Sequence, residues 1–335
     1  MIRIPEYYQG ISLNPYDMNT IGIGIDLGGT KCAGALFTIG GEILSRDSVT
    51  VVGLEGIEVG KTVADLALKL MYEAERFQYG IQGLYVSVPG IAYPSTGTVW
   101  APNIPGWQNY PLIADLHKLL GRQFPIGVDN DRACSILGEV WLGAAGGCRD
   151  AVFLAVGTGI GAGILSGGKI IRGSGDIAGA IGWMALDTDF RPGYERFGSF
   201  EYNASGRGLV RVAMELIRKN QYNSTILNEK DLDTRIIFKA YHEGDLLAKA
   251  VIDHAITYWG KAVANLVSIF DPEVILFGGG VFGPGVTLLD PIYNEAKRWA
   301  QPVSIQKVKL LPSKLGQDSA LCGAGKMAVE MNLSS

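Results

Sequence analysis

Ile23 to Phe37 reads IGIDLGGTKCAGALF, and how this stretch folds decides the architecture. On its upstream side Ile21, Ile23 and Ile25 alternate with glycines, and on its downstream side Ala33, Ala35, Leu36 and Phe37 form a second apolar run. Two such runs around a glycine turn predict a β-hairpin. The turn Asp26-Leu27-Gly28-Gly29-Thr30-Lys31 tolerates positive φ and leaves backbone N–H groups unscreened, so it can hold a phosphate. A dinucleotide fold or a P-loop would lead its glycines into a helix. This chain turns into another strand, which disfavours both. Taken alone, a Gly-Gly turn with an aspartate is more often only a turn.

A second copy strengthens the phosphate reading. From Ala151 the chain reads AVFLAVGTGIGAGILSGG, again strand, Gly-Thr-Gly turn and strand. Two such hairpins suggest a duplicated core with a nucleotide between the halves. A third glycine cluster, Gly278-Gly279-Gly280, follows a strand from Glu273 to Phe277. Working outward, strands are expected at Glu42 to Val52, Leu84 to Val88, Phe124 to Val128 and Val308 to Leu311. Helical spacing of apolar residues marks Gly60 to Gln78, Leu112 to Leu120, the stretch after Asp131, Gly206 to Lys219, Asp231 to Glu243, Leu246 to Phe270, Leu289 to Ala300 and Ser319 to Met331. Arg172 to Gly198 is glycine-rich and irregular. A domain boundary is expected near Ala133.

Composition narrows the class. A chain of 335 residues suggests about two domains, and 47% hydrophobic with 19% charged residues supplies a core without signs of disorder. A net charge of −4 gives no reason to expect nucleic acid or an anionic membrane as partner. Cys32, Cys134, Cys148 and Cys322 show no CxxC spacing, which fits a reduced, cytoplasmic chain. The N-terminus lacks the apolar run of a signal peptide, and no window approaches the roughly 20 apolar residues of a membrane span.

DLGGT (Asp26 to Thr30), APNIPGW (Ala101 to Trp107), VDNDRACSILGE (Val128 to Glu139), VGTGIGAGI (Val156 to Ile164) and FGGGV (Phe277 to Val281) occur in the order found in ROK sugar kinases, and between Ile21 and Met331 the chain resembles that family. The resemblance implies an α/β chain with the two-domain actin-like ATPase fold (ribonuclease H-like) and a nucleotide and sugar cleft between the domains. It implies an N-terminal extension over 1–20, a smaller domain over 21–133 completed by a C-terminal helix at 319–331, and a larger nucleotide-binding domain over 134–318. The extension is too short for the winged helix-turn-helix of repressor relatives. ATP and Mg²⁺ are the implied cofactors, a small sugar the implied partner, and a homodimer or homotetramer the implied assembly.

Residue roles follow by position. Phosphoryl transfer to a hydroxyl needs positioning, neutralised phosphate charge and a proton acceptor. The resemblance makes Asp131 the general base, although an aspartate there also reads as a helix N-cap. Asn130, Asn103, Gly90 and Glu201 are implied to bind the sugar. Asp26 is implied to hold Mg²⁺ through water. Gly28, Gly29 and Thr30, with Lys31, are implied to face the outer phosphates, met by Gly157, Thr158 and Gly159 from the other domain, while Gly278, Gly279 and Gly280 admit the adenosine. One segment departs from the pattern. Typical members carry Gly-Glu-Ile-Gly-His and then a cysteine-rich run that binds zinc, whereas this chain reads Gly179-Ala180-Ile181-Gly182-Trp183, with no cysteine from Arg191 to Phe200. No structural zinc is expected. Trp183 either covers an apolar sugar face or fills the core where the zinc loop is missing. A catalytically weakened sugar sensor is the rival reading, motivated by Ala180 and Trp183.

Overall fold

In the computed structural model, which describes residues 20–121, 124–220, 222, 224 and 226–331, the quoted stretch forms strands β1 (Thr20–Leu27) and β2 (Lys31–Thr38), paired antiparallel from Ile21↔Thr38 to Leu27↔Cys32. Nearly all of the expected 1–20 extension lies outside the described residues. The chain then forms β3 (Ile43–Thr50), α1 (Gly56–Arg76), β4 (Gly80–Val88), the short pair β5 (Ile91–Tyr93) and β6 (Thr98–Trp100), α2 (Leu112–Leu120), β7 (Ile126–Asn130) and α3 (Asp131–Trp141). These belong to a first compact unit that runs up to Gly147 and also takes in Arg172–Ile177 and the chain from Gln317.

The second unit covers Cys148–Ile171 and Ala178–Gly316. Its elements are β8 (Ala151–Val156), β9 (Ile160–Ser166), β10 (Lys169–Ile170), α4 (Tyr194–Phe197), α5 (Ser199–Ala204), α6 (Gly206–Arg218), α7 (Thr234–His242), α8 (Leu246–Phe270), β11 (Val274–Gly278), α9 (Leu289–Ala296) and β12 (Lys309–Pro312). The last helix, α10 (Ser319–Glu330), belongs to the first unit.

The duplication expected from the two hairpins is visible in the sheets. One has the order β3-β2-β1-β4-β7 and the other β10-β9-β8-β11-β12. In each, the hairpin-connected strands pair antiparallel and the remaining two join in parallel.

The Ile-Gly alternation in β1 serves both faces of its sheet. Successive residues of a strand point to opposite sides, so Ile21, Ile23 and Ile25, all fully buried, join one apolar cluster with Val63, Leu66 and Leu70 of α1. Gly22 and Gly24 meet α10: a Cβ at Gly22 would lie 2.6 Å from the Val329 nitrogen, and one at Gly24 2.6 Å from the Gly325 nitrogen. α10 can approach so closely because its own face is small, with Ala320, Ala324 and Ala328 clustering on Cys134 of α3 and Tyr85 of β4. The second unit is organised around α8, whose buried Val251, Ile252, Ala255, Trp259 and Val263 pack with Ile275 and Phe277 of β11. All four cysteines are free. Among the described residues no helix is long and apolar enough to cross a membrane.

Candidate functional site

The first unit gathers its candidate residues by strand register. In the parallel ladder β1-β4-β7, Asp26 pairs with Ser87 and Ser87 with Asp129, while Val88 pairs with Asn130. The carboxyl ends of three adjacent parallel strands are where open α/β sheets bind ligands. The Ser87 hydroxyl donates to Asp26 Oδ1 at 2.8 Å. After β4 the chain turns at Gly90, whose φ of +95° and whose position, with any Cβ 2.3 Å from the Trp100 carbonyl oxygen, demand glycine. The Gly90 carbonyl in turn accepts from Arg132 Nη2 at 3.3 Å.

At the end of β7 the capping question is resolved. Asn130 is the N-cap of α3, its Oδ1 accepting from the Ala133 N–H at 2.9 Å. Asp131 is therefore the first helical residue, and its carboxylate is not consumed by the cap. Half of its side chain is open to solvent, with Arg132 Nε 3.7 Å away. The protein packed around it nevertheless pushes its pKa above the ordinary aspartate value, against the lowering effect of Arg132.

The phosphate-type turn carries one difference from expectation. The Gly28 N–H donates to the Lys31 carbonyl at 2.8 Å, so it closes the turn. The donors left for a phosphate are those of Gly29 and Thr30, both exposed. Gly28 and Gly29 line a pocket of about 240 Å³ with Asn103, Leu54, Glu55 and Ile104. Asn103 thus shares a pocket with the turn, and Glu55, which was not singled out from sequence, lines it too.

Asp26 sits in an acidic field. Desolvation raises its carboxyl from 3.8 to about 6, opposed by the Ser87 hydrogen bond and assisted by the negative charges of Asp131 and Asp318. Asp318 is itself paired with Arg46, whose Nη1 lies 2.7 Å from Oδ2. Among the described residues no three His, Cys, Asp or Glu side chains converge as a cage. One part-buried carboxylate in negative potential suits Mg²⁺, which keeps several waters and takes few protein ligands. Because folding raises this pKa, the associated stability is full below about pH 4 and is lost as pH rises through about 6, a loss on the order of 2 to 3 kcal/mol. Asp26→Asn keeps an acceptor for Ser87 and removes the charge. In metal- and nucleotide-free buffer it is expected to raise the thermal midpoint at pH about 8 and to change it little near pH 4.

The second unit builds a larger pocket, about 600 Å³, from Gly157 and Thr158 of the β8–β9 turn, Gly206, Arg207 and Val210 of α6, Leu232 to Arg235 ahead of and within α7, and Gly280, Val281 and Pro284 after β11. The Gly206 N–H donates to the Gly157 carbonyl at 2.8 Å, which brings the N-terminus of α6 to the turn. Ser205 caps that helix by accepting from Gly208 N–H, and Asp233 caps α7 through Ile236 N–H. Gly279, at φ +86° with any Cβ 2.4 Å from the Val156 carbonyl oxygen, lets the chain leave β11 against β8. Gly278 instead packs on the Phe153 ring, and Gly159 against Glu201; neither lines the pocket. The α6 and α7 wall was missed in sequence because its residues carry only the Ser and Asp cap signals.

Glu201, on α5, has its Oε2 accepting from Ile160 N–H at 2.8 Å. Burial pushes its pKa up, with that hydrogen bond and the nearby Arg207 and Arg211 pulling the other way. Trp183 is 55% exposed, so it does not fill the core. Where a zinc loop was expected to be missing, Tyr194 and Tyr258 both donate their hydroxyls to Asp187, and Asn203 Nδ2 donates to the Tyr194 oxygen at 2.9 Å. Ser199 Oγ donates to the Met184 carbonyl and accepts from Leu186 N–H, each at 2.9 Å. Phe200, fully buried, completes this packing.

A family model described as ROK family matches residues 22–331. A glucokinase from Halalkalibacterium halodurans is 31% identical over 310 residues, covering 90% of this chain and 93% of the relative. A xylose repressor from Caldicellulosiruptor bescii is 29% identical, covering 93% of this chain and 79% of its own. Among solved structures, a ROK family glucokinase from Streptomyces griseus in complex with glucose and AMPPNP is 28% identical with a TM-score of 0.71, covering 92% of this chain and 99% of that one. The likeness shows the actin-like ATPase fold that the motif order implied.

Proposed function

The chain belongs to the ROK family, and from that premise we propose that it transfers the terminal phosphoryl group of ATP to a hydroxyl of a sugar or sugar derivative. The observation that carries the proposal is the division of labour at the start of α3. Asn130 takes the cap, which leaves Asp131 as a carboxylate free to accept the hydroxyl proton. Its raised pKa moves it toward the range where a base transfers protons well at neutral pH. In this reading Asn103, Asn130 and Gly90 hold the acceptor, with Glu201 as a further carboxylate for its hydroxyls. Gly29, Thr30 and Lys31 receive the outer phosphates, a role shared by Gly157 and Thr158 of the Gly-Thr-Gly turn. Gly279 and Gly280 with the α6 and α7 wall take the nucleoside. Asp26 would hold Mg²⁺ through water, and the bound ion would neutralise charge on the transferring phosphoryl group.

The glucose and AMPPNP bound by the Streptomyces griseus relative support this choice of substrate class and donor. A second reading, a sugar sensor with weakened catalysis, is favoured by Ala180 and Trp183 and by the repressor relative. ADP release from ATP and Mg²⁺ across hexoses, N-acetylated hexosamines and ketoses separates them. Sugar-dependent release is expected; protein that binds both nucleotide and sugar without releasing ADP would favour the sensor.

A further inference from the structure

Asp129 lies one residue before the cap and is 1% exposed. Its two oxygens have different duties. Oδ1 accepts from the Asn130 backbone N–H at 2.9 Å and from the Asn130 side-chain Nδ2 at 3.2 Å. Oδ2 is paired with Arg172 Nη2. Arg172 begins the segment Arg172–Ile177, which belongs to the first unit although the chain on both of its flanks belongs to the second. Its Nε is buried without a hydrogen-bond partner among the described residues.

These contacts fix the Asn130 amide in one orientation. Its Oδ1 takes the Ala133 N–H and one Nδ2 hydrogen goes to Asp129. A flipped amide would set N–H against N–H at Ala133 and oxygen against carboxylate at Asp129, repulsive at both ends. What remains for a ligand is the second Nδ2 hydrogen, a donor. An ion pair on a buried carboxylate is weak evidence for stability, since apolar replacements of both partners are often as stable. Orientation is the effect that such replacements would not reproduce.

We propose that the Arg172–Asp129 pair is a positioning device for the acceptor site, holding Asn130 so that it offers an N–H to an oxygen of the substrate. The inference rests on the kinase reading above. Neither residue is asked to touch the substrate; both act through Asn130. A hydroxyl or carbonyl oxygen satisfies the offered donor, whereas a protonated amine at that point of the acceptor does not.

The test compares wild type with Arg172→Met, Arg172→Lys and the double variant Arg172→Met/Asp129→Leu, using the panel sugar with the highest kcat/KM. Arg172→Met is expected to lower the thermal midpoint and raise the sugar KM. The double variant is expected to recover much of the midpoint while its sugar KM stays at least about tenfold high, in line with the cost of misplacing a binding group by about 1 Å. The ATP KM is expected to be unchanged in both. Arg172→Lys keeps a charge able to meet the single Oδ2 contact and is expected to return the sugar KM to near wild type. A double variant with wild-type sugar KM and kcat would overturn the proposal. So would a lysine variant no better than methionine, which is the deciding comparison if the double variant does not fold. Wild-type protein that neither turns over nor binds any panel sugar would overturn the kinase reading and this proposal together. Sugar-dependent turnover that the variants leave unchanged would overturn this proposal alone.

Discussion

Asp131→Asn is expected to lower kcat for sugar phosphorylation on the order of 100- to 10,000-fold, the range for losing a positioned general base, while leaving ATP affinity unaltered. The substitution is nearly isosteric, and the geometry limits what else it disturbs. The α3 cap belongs to Asn130, so removing the Asp131 charge costs no capping bond. The ion pair lost, to Arg132 Nε at 3.7 Å on a half-exposed side chain, is of a kind that contributes little. Thermal unfolding of the variant should therefore stay close to wild type, and a large drop in kcat with an intact fold assigns the loss to chemistry. Near-normal turnover would remove Asp131 from the role of base.

The pH profile sharpens this test. A base works as the carboxylate, and the protein around Asp131 raises its pKa. Wild-type kcat/KM should thus fall as pH drops through a value above that of an ordinary aspartate. Residual activity of Asp131→Asn should lack that acid limb, because no titrating base remains. A limb that persists in the variant would point to another group, and Asp26, raised to about 6, is the first to examine. Its own substitution is expected to affect stability and activity in opposite directions, since the charge that burdens the fold is the charge a hydrated Mg²⁺ would use in the proposed reaction.

Local signals carried much of this architecture. Period-two apolar runs around glycine turns gave both hairpins, and apolar spacing at helical period placed α2, α6 and α8 close to their observed ends, while α1 starts at Gly56, ahead of the expected Gly60. What stayed hidden depends on contacts between distant segments. Asn130 and Asp131 are equally good capping residues in sequence, and only the helix start shows that Asn130 takes the N-cap. The glycines of β1 were legible as strand residues, but their second use, receiving α10, requires knowing where a segment some 300 residues later returns. The wall at Leu232 to Arg235 and Val210 lies on α6 and at the entry to α7, two helices whose sequences read as ordinary amphipathic surfaces. α5, six residues long, was too short to show periodicity and merged with the irregular stretch before it. The resemblance singled out Glu201 as a carboxylate for sugar hydroxyls, but its bond to Ile160 N–H was not legible.

Gly323→Ala should be among the most destabilising single substitutions in the chain, costing about 3 kcal/mol or more. A Cβ there would lie 1.8 Å from the Cys134 carbonyl oxygen and 2.5 Å from its carbon, and the reciprocal Cβ at Gly138 would lie 2.1 Å from the Ser319 oxygen. Helices α3 and α10 therefore touch backbone to backbone, and no side-chain rotation can relieve the overlap. Nor can α10 retreat, because its opposite side is pressed on β1, where Gly24 sits against the Gly325 nitrogen and Gly22 against Val329. The helix is held between two backbones, and one methyl group must push α3 or β1 away. Against a typical total of 5 to 15 kcal/mol, that loss should be plain as a lower denaturant midpoint. Gly175→Ala, with nothing within 4 Å of its Cβ position, is the control and should unfold near wild type. The consequence reaches the site through covalent geometry. α3 begins at Asp131 and β1 ends beside Asp26, so displacing either strand or helix moves one of the two carboxylates on which the proposed chemistry depends. Variant protein that remains folded should then lose kcat as well as stability; wild-type kcat in a folded Gly323→Ala variant would show that the two carboxylates tolerate a shift of their supporting helix.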